Sequence, residues 1–178
     1  MQANLQELKE TYSRQTYSVF SINRQQKIAD SQVTFSLAHS VFIIPIFGAA
    51  EITIDGEEFI CEGTTVVHAP AGQTVSYRTL YGRSFDHVNI YYDGVQDDIT
   101  SPIFNAYAFD PQGFDRILNK TLDLEKLNTT PSLDNRVAQI VNGTELIKSM
   151  FLLTNSQKVQ ESMADARTYI ELHFANPI

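Results

Sequence analysis

Between His39 and Gly72 the apolar residues come in short runs, each broken by residues that turn the chain. Ile52 and Ile54 alternate with polar neighbours up to Asp55-Gly56, and Phe59 and Cys61 lead away on the other side. Asp-Gly predicts a two-residue hairpin turn, because both central positions need a positive φ that these residue types tolerate. A second turn is predicted at Glu62-Gly63, followed by the mostly apolar run Thr64 to Val67 and a stop at Pro70-Ala71-Gly72. Tyr17 to Ile22, Gln32 to His39, Val41 to Phe47, Thr74 to Leu80 and Phe85 to Tyr92 also read as strands, with Tyr81-Gly82-Arg83 turning between the last two. Val41 to Phe47 is nearly all apolar, so both of its faces should be covered. Its Pro45 predicts an edge position or a bulge. Short strands with turn signals every eight to twelve residues or so indicate a sandwich or barrel, not a strand-helix alternation.

The period changes after Asp93-Gly94. Asp110-Pro111 is a helix start, with the carboxylate as cap and proline at the first helical position. Phe114, Ile117, Leu118 and Leu122 follow at helical spacing. Thr130-Pro131 offers a second start, after which Leu133, Val137, Ile140, Val141, Thr144, Ile147 and Phe151 form one stripe. Leu146, Met150 and Leu153 form another beside it. One stripe can pack on the strands and the second needs a partner, so these three residues are the candidate dimer contacts. Asn142-Gly143 falls inside this helix, where glycine costs about 1 kcal/mol. A third helix is expected through Met163, Ala166, Tyr169, Ile170, His173 and Phe174, stopping near Pro177. At the other end, Met1 to Arg14 is polar with Leu5, Leu8 and Tyr12 at helical spacing, which fits a short helix or a mobile arm. The expected architecture is mainly β with α, a strand-rich barrel followed by two or three helices.

Composition narrows the function classes. The chain has 178 residues, 43% hydrophobic and 19% charged, enough for one domain with a full core and a smaller appendage. Its net charge of −8 argues against holding nucleic acid by itself, since duplex binding rests on neutralising phosphates with Lys and Arg. The N-terminal stretch lacks a signal peptide's apolar core and no run reaches the length of a membrane span, so a cytoplasmic location and no membrane partner are expected. Asn-x-Thr triplets at Asn119, Asn128 and Asn142 are then chance matches. The lone Cys61 has no second cysteine to pair with and reads as a small apolar strand residue. No Gly-rich phosphate loop, His-Glu-x-x-His helix or Gly-x-Ser-x-Gly elbow occurs, and nothing in the sequence demands an enzyme.

Gly63 with Pro70-Ala71-Gly72 resembles the second motif of the cupin family, and His39 with Gly48 resembles what is left of the first. The resemblance implies a double-stranded β-helix barrel. It also implies the places of the metal ligands: Leu37 stands for the first histidine, His39 for the second, Val41 for the glutamate and Val75 for the last histidine. Gly63 and Pro70 stand one residue further apart than the family pattern has them. With three of four positions apolar, no metal and no other cofactor is expected. The segment from Ala166 to Ile178, ARTYIELHFANPI, resembles the opening helix of the DNA-binding domain of AraC-family transcription regulators. In that family a barrel, a helical pair and this segment follow one another in this order. The implied organisation is an arm and first strand over 1–30, a cupin-like ligand-binding barrel over 31–110, a helical dimerisation region over 111–160, and the start of a truncated helix-turn-helix domain over 161–178. The implied partners are a small-molecule effector, of which sugars are the family's familiar kind, a second copy of the chain, and promoter DNA only through the missing C-terminal domain.

Strand alternation nominates the lining. If His39 points inward, as its family position implies, so do Phe35, Leu37 and Val41. If Val75 does, so do Tyr77 and Thr79. On the last strand His87, Asn89 and Tyr91 share one face, opposite Val88, Ile90 and Tyr92, and we take the His87 face as inward. The candidate ligand-binding residues are therefore His39, Tyr77, His87 and Asn89 as hydrogen-bonding groups, with Phe35 and Leu37 as apolar walls. Each also has a plainer reading: His39 as a core or rim histidine, Tyr77 as a large core side chain. His68 reads as a structural residue at a strand end. Asp86 and His87 are strand neighbours on opposite faces, which disfavours a catalytic dyad. Phe104, Tyr107 and Phe109 read as core against the barrel. A second function class is a metal-dependent cupin enzyme, an isomerase or dioxygenase, whose irregular site would use His39, His87 and an acidic residue.

Overall fold

The alternation resolves into nine strands in a computed structural model that describes residues 17–94 and 105–151. They are β1 (Tyr17–Lys27), β2 (Gln32–Ser36), β3 (Ser40–Phe47), β4 (Ala49–Ile54), β5 (Glu57–Glu62), β6 (Thr65–Ala69), β7 (Thr74–Thr79), β8 (Phe85–Gly94) and β9 (Ala106–Ala108). The β4–β5 hairpin turns at Asp55 and Gly56, whose φ angles of 47° and 91° are what an Asp-Gly turn supplies. From that tip the antiparallel pairing is nested: β4 with β5, β3 with β6, β2 with β7, and β1 with β8. Cross-pairs β3 with β8 and β4 with β7 then complete two sheets, ordered β1-β8-β3-β6-β9 and β2-β7-β4-β5.

Pro45 lies on β3, which is paired on both sides by β8 and β6. β6 pairs only with Val41 to Ile43, so Pro45 has a strand neighbour on the β8 side alone, and the register shifts between Pro45 and Phe47; a local edge and a bulge both accommodate the proline. Val41 to Ile44 are fully buried, as an apolar strand covered on both faces should be. Two apolar clusters result. One lies between the sheets and contains Leu37, Val41, Ile43, Ala50, Ile52, Ile54, Cys61, Val67, Val75 and Phe85. The other covers the outer face of the five-stranded sheet, where Tyr17, Val19, Ile22, Phe42, Val88, Ile90 and Tyr92 meet Tyr107, Phe109 and two helices.

The first of these helices, α1 (Pro111–Lys126), begins as the sequence predicts. The Asp110 carboxylate accepts from the Gly113 N–H at 2.9 Å, and Pro111 occupies the first helical position. Phe114, Ile117 and Leu124 face the sheet. A 3-10 turn, Leu127–Thr129, leads to the second helix, α2, over residues 133–151. Ser132 caps it, accepting from the Asn135 N–H at 3.1 Å.

The face that α2 buries differs from the expected one. Gln139, Gly143, Leu146, Ile147, Met150 and Phe151 are buried, whereas Leu133, Val137 and Val141 are 79%, 49% and 55% exposed. A β-carbon on Gly143 would lie 2.8 Å from Val19 Cγ2, so the glycine lets the helix close on β1. Gln139 donates to Leu124 O at 2.9 Å and to Asn128 Oδ1 at 2.7 Å, and Thr144 donates to Tyr17 O at 2.9 Å. These contacts fix the helix's rotation. Leu146 and Met150, expected at a dimer interface, instead fill the domain's own core. Leu153, Phe104, the arm to Arg14, the third helix and the segment 166–178 lie outside the described residues.

Candidate functional site: a polar row between the sheets

The inward face of β8 reads Phe85, His87, Asn89, Tyr91, Asp93, with burial falling toward the C-terminal end of the strand. The adjacent outward residues Val88, Ile90 and Tyr92 belong to the helix-covered core. Across the gap, β7 presents Val75 and Tyr77. Tyr77, His87 and Asn89 are at most 2% exposed. Three of the residues expected at the site are thus brought together, on the face predicted for them.

What distinguishes this group is that its polar atoms are idle. The Tyr77 hydroxyl, both His87 ring nitrogens and Asn89 Oδ1 make no hydrogen bond of ordinary geometry. Buried polar groups are almost always satisfied, and each orphan costs about 1–3 kcal/mol. Asn89 Nδ2 does donate to the Tyr91 hydroxyl at 3.3 Å. The rings pack as a column: Phe35 on Tyr77 at 5.6 Å, Tyr77 on His87 at 5.4 Å and His87 on Phe85 at 4.5 Å between centroids.

Electrostatics keep the group neutral. Burial, reinforced by the positive charge of Lys27, lowers the His87 pKa to about 4, with the Phe85 backbone and Asp86 pulling the other way. Burial pushes the Tyr77 phenol well above its ordinary value, as do Tyr91 and Cys61, while the nearby Asn89 side chain opposes the shift through a hydrogen bond too poor in geometry to satisfy the hydroxyl. Tyr91 is shifted upward for the same first reason. At neutral pH the site therefore offers hydroxyls, an uncharged imidazole and an amide.

Toward the edge formed by β1 and β2 the lining of the gap is less buried. β1 lies opposite β8 with Ser21, Asn23, Gln25 and Lys27 facing Tyr91, Asn89, His87 and Phe85. None of these four is buried. On β2, Val33 and Phe35 stand opposite Tyr77 and Val75, and neither of them is buried. The opposite side of the interior is closed by Ile52, Cys61, Val67 and Ala69, all fully buried. Burial raises the Cys61 thiol's pKa, so it stays protonated, as a small strand residue should.

His39 is not part of this group, which corrects its place among the candidate ligand contacts. A bend at residues 38 and 39 interrupts the alternation carried by β2. Phe35 and Leu37 keep their inward direction, while the His39 ring stacks on Phe20 at 4.1 Å and its Nδ1 meets Asp93 Oδ1 at 2.8 Å at the strand end. The positions that a metal would need carry Leu37, Val41 and Val75, all inside the apolar cluster. Among the described residues no three His, Cys, Asp or Glu side chains converge as metal ligands would. Asp86 faces away from His87 and pairs with Arg24 at 2.5 Å. His68 has the structural place expected of it: its Nε2 lies 2.7 Å from the Tyr92 hydroxyl and its ring stacks on Phe42 at 4.5 Å.

The polar row of β1 went unnoticed in the sequence, where Asn23 to Ser31 reads as a connection. Its signal was Ser21, Asn23, Gln25 and Lys27 at every second position, a strand period carried by polar residues alone. Tyr91 shares the inward face of His87 and Asn89 and completes the group.

No protein-family model matches the chain. No curated protein matches it either. Solved structures to which it is similar include the cupin domain of Schizosaccharomyces pombe Cnp3, at 15% identity and a TM-score of 0.39. Others are a cupin superfamily protein of Desulfitobacterium hafniense at 17% and 0.37, and the Clostridium difficile EutQ protein at 12% and 0.36. These matches cover 43%, 42% and 44% of this chain, and 57%, 66% and 69% of those chains respectively. At such TM-scores the fold rests on the strand pairing described above.

Proposed function

We propose that this chain is the effector-sensing and dimerisation domain of a transcription regulator resembling the AraC family, built on a cupin-type double-stranded β-helix. A small molecule enters between the sheets at the β1–β2 edge and is held without metal. The observation that carries this reading is the set of idle, buried polar atoms on Tyr77, His87 and Asn89. A ligand that partners these atoms adds hydrogen bonds that the chain does not make within itself. The apolar occupants of the metal positions support a binding role over a catalytic one. Promoter DNA is contacted by a helix-turn-helix domain to which 166–178 would lead, as the resemblance of that segment implies. The homodimer is carried by the exposed Leu133, Val137 and Val141 face of α2, since Leu146 and Met150 are occupied in the core. Such a switch requires the ligand to prefer one arrangement of arm and helices over another, because tight binding alone shifts nothing.

Native mass spectrometry of the purified chain, followed by analysis of what denaturation releases, tests the reading. A metal-free chain that carries an organic molecule, lost in Tyr77→Phe and His87→Ala, is the expected result. One equivalent of iron or manganese per chain would overturn it in favour of a metal-dependent cupin enzyme.

A further inference from the structure

At the β1 edge of the gap one cation lies over an aromatic ring, with no counter-ion among the described residues. On the inward faces of β1, β2, β7 and β8, the charged side chains among the described residues are Lys27 and, at the far end, Asp93. Asp93 is taken by His39. Lys27 has no ion-pair partner among the described residues, and its Nζ sits 5.8 Å from the centre of the Tyr77 ring. Elsewhere the sheet cations are paired, Arg24 with Asp86 and Arg78 with Glu51 at 2.7 Å. An unmatched ammonium beside a set of idle buried polar groups is unusual in a chain whose net charge is −8.

The inventory of donors and acceptors says what would complete the set. Lys27, the Tyr77 hydroxyl and one N–H of neutral His87 are donors seeking acceptors. The second His87 nitrogen and Asn89 Oδ1 are acceptors seeking a donor. A carboxylate provides two oxygens and one negative charge for the first group. A hydroxyl next to it provides one donor, for Asn89 Oδ1, and an acceptor for the His87 N–H. A phosphate monoester fits less well, because it brings close to two charges to a cleft with one cation and three acceptor oxygens where donors are few. A neutral polyol would leave Lys27 unmatched.

We infer that the cleft takes a small hydroxy-carboxylate, whose carboxylate meets Lys27 and Tyr77 while its hydroxyl serves Asn89 and His87. The inference rests on the sensing site proposed above and names the chemistry of what fills it. Lys27 lies on the edge strand β1 and is less buried than Tyr77, His87 and Asn89.

Glycolate, the smallest hydroxy-carboxylate, and glycolamide, its neutral analogue, are suitable probes for the full chain. Their binding is followed by NMR of the labelled His87 imidazole. Saturable shifts with glycolate are expected, with glycolamide at least ten-fold weaker. Lys27→Met should reduce glycolate to the glycolamide level, while Lys27→Arg, which keeps the charge, should retain most of the binding. Equal affinity for both probes, or an unchanged glycolate affinity in Lys27→Met, would overturn the anion inference and leave the sensing site standing. Absence of shifts with either probe also overturns it. The native mass spectrum then decides separately whether the site holds some other molecule.

Discussion

The five-stranded sheet carries one histidine on each face, and the two are treated in opposite ways. His68, under the helices, is stacked on Phe42 and bonded to the Tyr92 hydroxyl at 2.7 Å. His87, between the sheets, is stacked on Phe85 and Tyr77 and makes no hydrogen bond of ordinary geometry. Both are buried. The outer face is finished as a core, with its polar atoms paired to helix and strand, whereas the inner face is left incomplete at one edge. The sensing role proposed for the inner face rests on that contrast.

The largest effect should come from the finished face. Met150 is fully buried beside Leu146, Ile147 and Phe151, so Met150→Ala should cost about 2–5 kcal/mol in urea denaturation. A Met150 variant that stayed stable and became monomeric would restore this residue to an interface and undo the distinction between the two faces of α2.

The pH dependence separates the two histidines next. His87 has a folded pKa near 4, against about 6.5 for a free histidine. A base whose pKa is depressed by folding binds more protons when unfolded, so its contribution is complete above the unfolded pKa and is lost as pH falls through the folded one. Stability should therefore decline between about pH 6.5 and 4, by up to about 3 kcal/mol from this group. His87→Leu should remove that part of the slope. An identical pH profile in the variant would mean that His87 is not held neutral by the fold.

At neutral pH the same two sites should respond unequally to the same substitution. His68→Leu breaks a buried hydrogen bond and should cost about 1–3 kcal/mol. His87→Leu removes two idle buried nitrogens and should leave the ligand-free chain at least as stable, while abolishing retention of the bound molecule. Equal costs at both positions would show that His87 has a partner after all.

How far the sequence disclosed all this varied with the kind of signal. The β4–β5 hairpin was legible because Asp55-Gly56 states its own geometry, and a period of two showed that His87 shares a face with Asn89 and Tyr77 with Val75, although which face points inward had to be chosen on other grounds. His39 was misplaced because alternation was carried across a bend at residues 38 and 39, where period-two reasoning no longer holds. β1 was read short because its second half is polar on both faces, so no apolar alternation marked it. The rotation of α2 was misread because hydrophobic spacing gave weight to Leu133, Val137 and Val141. The face that packs is defined by Gly143, chosen for closeness to Val19, and by Gln139, chosen for its bonds to the end of α1. A glycine counted against a helix was the residue that positioned it.

The remaining contrast lies between the two faces of α2 itself. Leu133, Val137 and Val141 follow one another at intervals of four along the solvent side, the spacing of a single helical stripe. Because these side chains already meet water, Val137→Asp with Val141→Asp should change the folding stability of the isolated chain by about 0.5 kcal/mol or less. The same pair of charges would be buried and unpaired if two such helices met along this stripe, which is costly. Light scattering should then report a dimer for the natural chain and a monomer for the double variant, with unchanged ligand retention in both. A dimer that survives both aspartates would place the contact on another surface, and would leave the exposed stripe of α2 without a role in self-association.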